Sequence, residues 1–429
     1  MASKGFDLPV SADQAVCIAR GQFEAGELTR AAEVCRRVLR ERPEHAAALR
    51  LMGEVEFNRG NALYTRGDFD GAVASYRRAV ELCPGFLDAQ CNLGNALVAV
   101  GKIAGAVAAY ERAIALNPDC SQAHWNLALA LLAQGDFQRG WAEYEWRHRE
   151  PSTPECPGVA WKGEDLAGKT ILLIAEQGLG DAIQFVRYVP MVAQRAGKIV
   201  LVCQPQLCPL FSAIEGVWAV VPFREALPSF DVYCHLMSLP AIFGTRVGSI
   251  PRQIPYLRPQ PALIEKWRQI LGPGNGKHRV GLAWAGRAEH QYDRHRSIPL
   301  RELAPLGEVR GIEFHSLQIG PASEQVFDLP NGMVVRNHAD RLTDLSETAA
   351  LIANLDGVIS VDTLIPHLAG ALGARVWLML AHAADWRWLV DRDDSPWYPT
   401  MRLFRQRSAG NWPGVVDSVR RALSAPNSV

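Results

Sequence analysis

"TILLIAEQGLGDAIQF", Thr170 to Phe185, is the stretch from which the larger part of the fold can be read. An apolar run, "TILLI", stops at a glycine-bearing turn, and the helical pattern "FVRYVPMVAQRAG" follows. Strand, glycine turn and helix, in that order, form one way of bringing backbone close to a phosphate or a sugar. The same order also simply turns a corner. Gly178-Leu179-Gly180 is not a G-x-G-x-x-G fingerprint, so the turn alone does not indicate a dinucleotide. Asp181 falls at the helix start, where the dipole favours a carboxylate and a cap is useful. A strand-end loop is also where a rigid element can present a general base. Both roles stand on spacing alone.

Short apolar runs alternate with helical stretches on either side of this turn. After "TILLIA" come "KIVLVC", "VWAVVPF" and "FDVYCHL". A proline-rich stretch, "SIPRQIPYLRPQP", interrupts the series near residue 255. It resumes with "RVGLAWAG", "IEFHSLQIG", "MVVRNH", "GVISVD" and "RVWLMLA". Such alternation predicts parallel sheets covered by helices, and the break predicts two Rossmann-like domains facing a cleft. Ligands of such folds lie beyond the carboxyl ends of the strands.

Three further strand-end stretches carry candidates. "WAGRAEHQYDRHRSIPL" holds Arg287, Arg294 and Arg296, whose forks suit phosphate oxygens, although Glu289 and Asp293 could balance them on a solvated loop. "VISVDTLIPHLAGALG" places Asp362 and Thr363 at a helix start that can serve as an anion site. His367 lies on the Thr363 face by four-residue spacing, either as a site residue or as a buried histidine. "ADWRWLVDRDDSPWYP" brings three tryptophans and a tyrosine together, to stack on a base or to close the core.

The 429 residues suffice for two to four domains. A hydrophobic fraction of 48% with 21% charged residues is that of an ordinary soluble globular protein. With 45 basic and 45 acidic residues, nothing in the charge calls for nucleic acid or an anionic membrane. No apolar run resembles a signal peptide or spans a bilayer, which leads to the expectation of a cytoplasmic protein. The nine cysteines include no C-x-x-C, and no metal site is expected.

The first third repeats. "GNALYTRGDFDGAVASYRRAVELCP" (Gly60 to Pro84) aligns with "GNALVAVGKIAGAVAAYERAIALNP" (Gly94 to Pro118) at a period of 34. A third copy keeps Gly135 and Tyr144 in phase. A weaker first copy, from about Ala12 to Pro43, is set off by extra residues around "AAALRLM". The pattern resembles the tetratricopeptide repeat, in which small residues let two antiparallel helices approach closely. Such units stack into a solenoid. Its face could hold a peptide or protein segment. The repeats could instead support the next domain or build a homo-oligomer.

Taken together, residues 165 to 408 resemble a GT-B glycosyltransferase of the bacterial heptosyltransferase type. The whole chain is similar to bacterial proteins that carry tetratricopeptide repeats ahead of that domain. The likeness runs through "EQGLGDAIQFVRY", "VGLAWAG", "DRHRSIPL", "LIANLDGVISVDT", "HLAGALG" and "DWRWLVDRDDSPWYPTMRLFRQ". The order of domains is also similar, more weakly, to that of O-linked N-acetylglucosamine transferases.

The resemblance implies an α solenoid followed by an α/β GT-B fold. The expected division is repeats over 1–150, a linker over 151–165, an acceptor-side domain over 166–260 and a donor domain over 261–429. It implies sugar transfer from a nucleotide-activated donor, without metal or resident cofactor, to an acceptor hydroxyl, with a protein acceptor held by the repeats. Asp181 would be the base, in an acceptor-side loop that includes Gln177, Gly178, Gly180 and Gln184. Asp362, Thr363 and His367 would hold the donor diphosphate, helped by Arg287, Arg294 and Arg296. One departure stands out. Leu364-Ile365-Pro366 replaces the small residues usual after Asp-Thr, and proline removes a free N–H. The alternative implied is a non-catalytic repeat scaffold with a degenerate transferase domain.

Overall fold

The computed structural model describes residues 10–149, 156–289, 293–330 and 332–425. Residues 151–155 of the expected linker lie outside that set. The described chain forms two compact units. One takes residues up to Gln134 together with Trp146–Glu150, and the other takes Gly135–Glu145 and the chain after Pro151.

The first unit consists of antiparallel helix pairs: α1 (Ala12–Glu24) and α2 (Leu28–Glu41), α3 (Ala46–Thr65) and α4 (Phe69–Leu82), α5 (Leu87–Ala99) and α6 (Ile103–Leu116), then α7 (Ser121–Gln134). The turns within the pairs centre on Gly26, Gly67 and Gly101, each at a positive φ that only glycine adopts cheaply. The period of 34 has a contact behind it. Gly60 leaves room for the Tyr76 ring, since a Cβ there would meet it at 2.6 Å, and Gly94 does the same for Tyr110. The two hydroxyls then donate to Asn61 and Asn95, at 2.7 and 2.8 Å. Asn92 and Asn126 donate to the same two acceptors from the following repeat, at 3.0 and 3.1 Å. The second repeat is therefore tied to the third, and the third to α7, through one saturated asparagine oxygen each.

The extra residues expected around "AAALRLM" sit inside α3. Gly26 to Gly67 spans 41 residues, seven more than Gly67 to Gly101. Seven residues are close to two helical turns, so α3 lengthens without rotating its buried face. Gly53 repeats on the added turns what Gly60 does below, and there a Cβ would meet Cys83 Sγ at 2.8 Å.

The second unit contains two parallel sheets. Strands β1 (Val159–Ala160), β2 (Leu166–Ile174), β3 (Ala196–Cys203), β4 (Ala219–Pro222) and β5 (Val232–His235) pair in the order β1-β5-β2-β3-β4. Strands β6 (His278–Ala283), β7 (Ile312–Ser316), β8 (Val335–Arg336), β9 (Gly357–Val361), β10 (Val376–Leu380) and β11 (Met401–Arg405) pair in the order β11-β10-β9-β6-β7-β8. Every strand pair in both sheets is parallel. This is the doubly wound order, with switch points between β2 and β5 and between β6 and β9. Loops at the carboxyl ends of both sheets touch each other, so the unit is two Rossmann-like halves in a GT-B arrangement. The central strands β9 and β10 are buried throughout, as parallel strands covered on both faces require.

The last helix of the repeat region, α8 (Phe137–Tyr144), packs within this second unit. Phe137 lies 6.0 Å from Trp397, and Trp141 lies 5.4 Å from Trp386 and 6.2 Å from Phe185, centroid to centroid. Trp141 Nε1 donates to the Thr245 carbonyl at 3.2 Å. No described helix is long and apolar enough to cross a membrane.

The glycines separate packing from propensity. Gly94→Ala should destabilise the repeats by about 1–3 kcal/mol, the cost of overfilling a packed contact. Gly21→Ala, where nothing lies within 4 Å, should stabilise them by roughly 0.5–1 kcal/mol. Urea unfolding of both variants measures the two signs, and equal effects would mean that the Gly–Tyr contact does not set the period.

Candidate active site

The loop after β2 and the helix α9 (Leu179–Phe185) form the first wall of the site. Gln177 takes a left-handed conformation, φ 63°, and Gln204 Nε2 donates to its carbonyl at 2.9 Å. The Gly178 N–H donates to Asp181 Oδ2 at 2.8 Å, so Asp181 does cap its own helix. Its other oxygen, Oδ1, is ion-paired with Arg387 Nη2. One carboxylate thus fills the capping role and faces the other half of the unit.

Arg387 organises this junction. It follows β10, and its side chain is 9% exposed. Besides Asp181, it donates to Asp385 Oδ1 at 2.9 Å and to Gln184 Oε1 at 2.6 Å, and it lies over the Trp386 ring at 4.4 Å. Burial opposes its charge, but Asp385 and Asp181 outweigh that and keep it protonated. Burial likewise pushes the Asp181 carboxyl above the usual range, and Arg387 and the Gly178 N–H pull it back. Gln184 is fully buried, and its Nε2 has no partner among the described residues.

The loop after β9 forms the second wall. Asp362 Oδ2 accepts from Trp388 Nε1 at 2.9 Å. Burial, reinforced by the charge of Asp385, pushes the Asp362 carboxyl up to about 7, with Trp388, Arg296 and Arg387 opposing. Thr363 caps the helix Leu364–Ala371, its hydroxyl accepting from the Ile365 N–H at 3.4 Å. Pro366, the third residue of that helix, offers no N–H.

His367 is 6% exposed and bonds through Nδ1 to the Tyr398 hydroxyl at 2.9 Å. Burial, with Arg387 and Arg187 nearby, drives its pKa well below the ordinary value, so the ring is neutral. Its edge faces Gly180, where a Cβ would meet Cδ2 at 3.1 Å. Gly180 is therefore the gap through which α9 reaches the helix Leu364–Ala371.

The third wall is the loop after β6. Arg296 is half-buried and pairs with Asp293 at 3.3 Å, and Ser297 links that carboxylate to the Gly286 N–H. Arg287 and Arg294 are exposed, and Arg294 Nε lies 3.1 Å from His295 Nε2. The structure thus gathers Asp181, Gly178, Gly180, Gln184, Asp362 and His367 around Arg387 and Trp388. Gln177 stays exposed at the loop tip, and Arg287 and Arg294 stand apart in solvent.

Arg387 is the residue the sequence reading passed over. Its stretch drew notice for the tryptophans, and Trp386, Trp388 and Trp397 are indeed buried. The signal was an arginine between two tryptophans, seven residues past the end of a strand. Arg187 is a second buried arginine. It donates to the Gln184 and Trp397 carbonyls, at 2.7 and 2.5 Å, and to the Tyr256 hydroxyl at 2.9 Å.

With this geometry in place, comparison with known proteins bears on the repeats first. The family described as "Tetratricopeptide repeat" matches residues 91–145, and that described as "TPR repeat" matches residues 60–101. Residues 60–145 carry tetratricopeptide repeats. The chain is also 30% identical over 314 residues to Protein FlbA of Caulobacter vibrioides, covering 66% of this chain and 52% of that protein. The chain thus spans about half the length of the curated relative it matches. Two solved structures are similar to the α/β part at low identity. Escherichia coli ADP-heptose lps heptosyltransferase II is 14% identical, with a TM-score of 0.43, over 59% of this chain and 98% of that one. A glycosyl transferase family 9 protein from Veillonella parvula DSM 2008 is 11% identical, with a TM-score of 0.44, over 61% and 97%.

Gly180→Val should wedge α9 away from His367 and cost about 1–3 kcal/mol. Thermal melting of the second unit checks this. An unchanged transition would mean that the two helices do not depend on the close approach.

Proposed function

We propose that this protein is a metal-independent GT-B glycosyltransferase. It would move a sugar from a nucleotide diphosphate donor to an acceptor hydroxyl, with Asp181 as base. The observation that carries the reading is the Asp181 carboxylate. It sits in the first turn of α9, at the switch point of the first sheet, and is paired with the loop after β10 of the second sheet. Both walls of a doubly wound cleft are where such folds bind ligands.

In the proposed step, Asp181 takes the proton of the acceptor hydroxyl as that oxygen attacks the anomeric carbon. The bond from that carbon to the diphosphate breaks, and the diphosphate leaves with the electron pair. Arg296, with the capped helix start at Thr363, would meet its charge, and Arg287 and Arg294 would have to fold in from solvent to join it. His367, neutral and bonded to Tyr398, would act by holding α9 in place. Because the repeats belong to the same chain, an acceptor segment bound there would reach the cleft at raised local concentration. The setting proposed is the cytoplasm, and the acceptor a protein or peptide.

A second reading has its own observation. Leu364-Ile365-Pro366 leaves the helix start with few free N–H groups, and His367 is committed to Tyr398. These features favour a repeat scaffold whose cleft has lost its donor. Turnover of a panel of nucleotide diphosphate and monophosphate sugars by the purified chain separates the two readings.

Asp181→Asn should leave donor affinity by calorimetry near wild type while lowering transfer by about 10² to 10⁴. Near-normal transfer by that variant would confine Asp181 to capping α9.

Asp362 gives the cleft a pH dependence. Below its raised value of about 7 the carboxyl is neutral, and above it the carboxyl adds negative charge beside a bound diphosphate. Affinity for a nucleotide diphosphate sugar should weaken by roughly tenfold as pH rises from about 6 to about 8, the scale of one nearby charge in a partly buried site. Asp362→Asn should flatten the profile. A slope that survives in the variant would assign it to another group.

A further inference from the structure

We propose that Arg387 is the positioning residue for the base: its guanidinium, reaching across from the second half, orients the Asp181 carboxylate and keeps it charged. This rests on the reading of Asp181 as base.

The groups that face Asp181 come from five segments. The loop after β10 supplies Arg387 and Asp385, and the end of β2 supplies Glu176, itself 3.4 Å from His235 at the end of β5. Tyr144 of α8 acts on Arg387, and His367 faces Gly180 one residue away. His367 is neutral, while Glu176 and Asp385 repel a charge on Asp181. Among the described residues, Arg387 is the cation in contact with it. A half-buried carboxyl beside two other carboxylates tends to hold its proton, and a carboxyl that holds its proton accepts none from an acceptor. The pair therefore decides whether Asp181 can serve as base.

The geometry is also directional. Nε and Nη1 of Arg387 are fixed by Gln184 and Asp385, which leaves Nη2 aimed at Asp181 Oδ1. The Gly178 N–H holds Oδ2 from the other side. The carboxylate plane is thus set by one donor from each half. A lysine, with one point charge, could supply the attraction but not this fork.

The test uses the full chain labelled with ¹³C at aspartate carboxyls, with the Asp181 signal assigned by its loss in Asp181→Asn. In Arg387→Gln the Asp181 titration midpoint should rise by about 1–3 pH units, and the acid limb of the kcat profile should move with it. An unshifted midpoint in a variant with native circular dichroism would overturn the proposal. If Arg387→Gln does not fold, Arg387→Lys decides. It should titrate near wild type yet transfer at least about tenfold more slowly at unchanged donor KM, as misplacement of a reacting group does. Undiminished transfer by it would remove the orienting role. The titration needs no turnover. A chain that transferred no sugar would defeat the glycosyltransferase reading while still deciding whether Arg387 governs the charge on Asp181.

Discussion

A guanidinium buried among carboxylates is the constraint on which the α/β unit depends. Arg387 would be intolerable in that position alone, because an unpaired buried charge costs several kcal/mol. It is held by Asp181 and Gln184 from one half and Asp385 from the other. Removing any partner strands the rest, so the segments that carry them are obliged to meet. The aromatic wall of Trp386, Trp388, Trp397 and Tyr398 keeps water from relieving the obligation. The closure of the two halves and the charge state of the cleft are therefore one problem with one solution.

The repeats obey a different logic. There the recurring element is an absence, a missing Cβ that admits a tyrosine ring, followed by an asparagine oxygen that serves two donors. Because each link repeats at 34 residues, stability accumulates along the array by neighbours. The longer α3 shows how such an array tolerates insertion. Two whole turns change the length of a helix and leave its seam in register.

Much of this was legible in the sequence, and the reasons differ by element. The strand-turn-helix at Thr170–Phe185 could be read because apolar periodicity and a glycine turn are local signals. Nine strands announced themselves in that way. β1 did not, because two residues carry no period, and β11 was visible only within a family motif, because "MRLFR" interleaves arginines with its apolar residues. The repeat period was legible because each copy repeats the same contact. In the site, Asp181, Asp362 and Gly180 were visible as residues of strand-end turns. Arg387 was not, since its meaning lies in partners about two hundred positions away. His367 was found by spacing, but spacing could not tell that its ring is neutral and occupied by Tyr398. The same limit applied to the arginines after β6, three residues of one type of which Arg296 alone turns inward.

The placement of α8 bears on how such a protein can be taken apart and recombined. The matched repeat pattern runs to residue 145, yet Phe137, Trp141 and Tyr144 belong to the aromatic interior of the α/β unit. The visible punctuation in the chain, the prolines after residue 150, is therefore not the seam. The repeats could be exchanged, lengthened or duplicated upstream of Gly135 without disturbing that interior. A cut at the prolines would carry away three of its rings. Repeats can be added or removed ahead of α8, but α8 itself is held by the α/β interior.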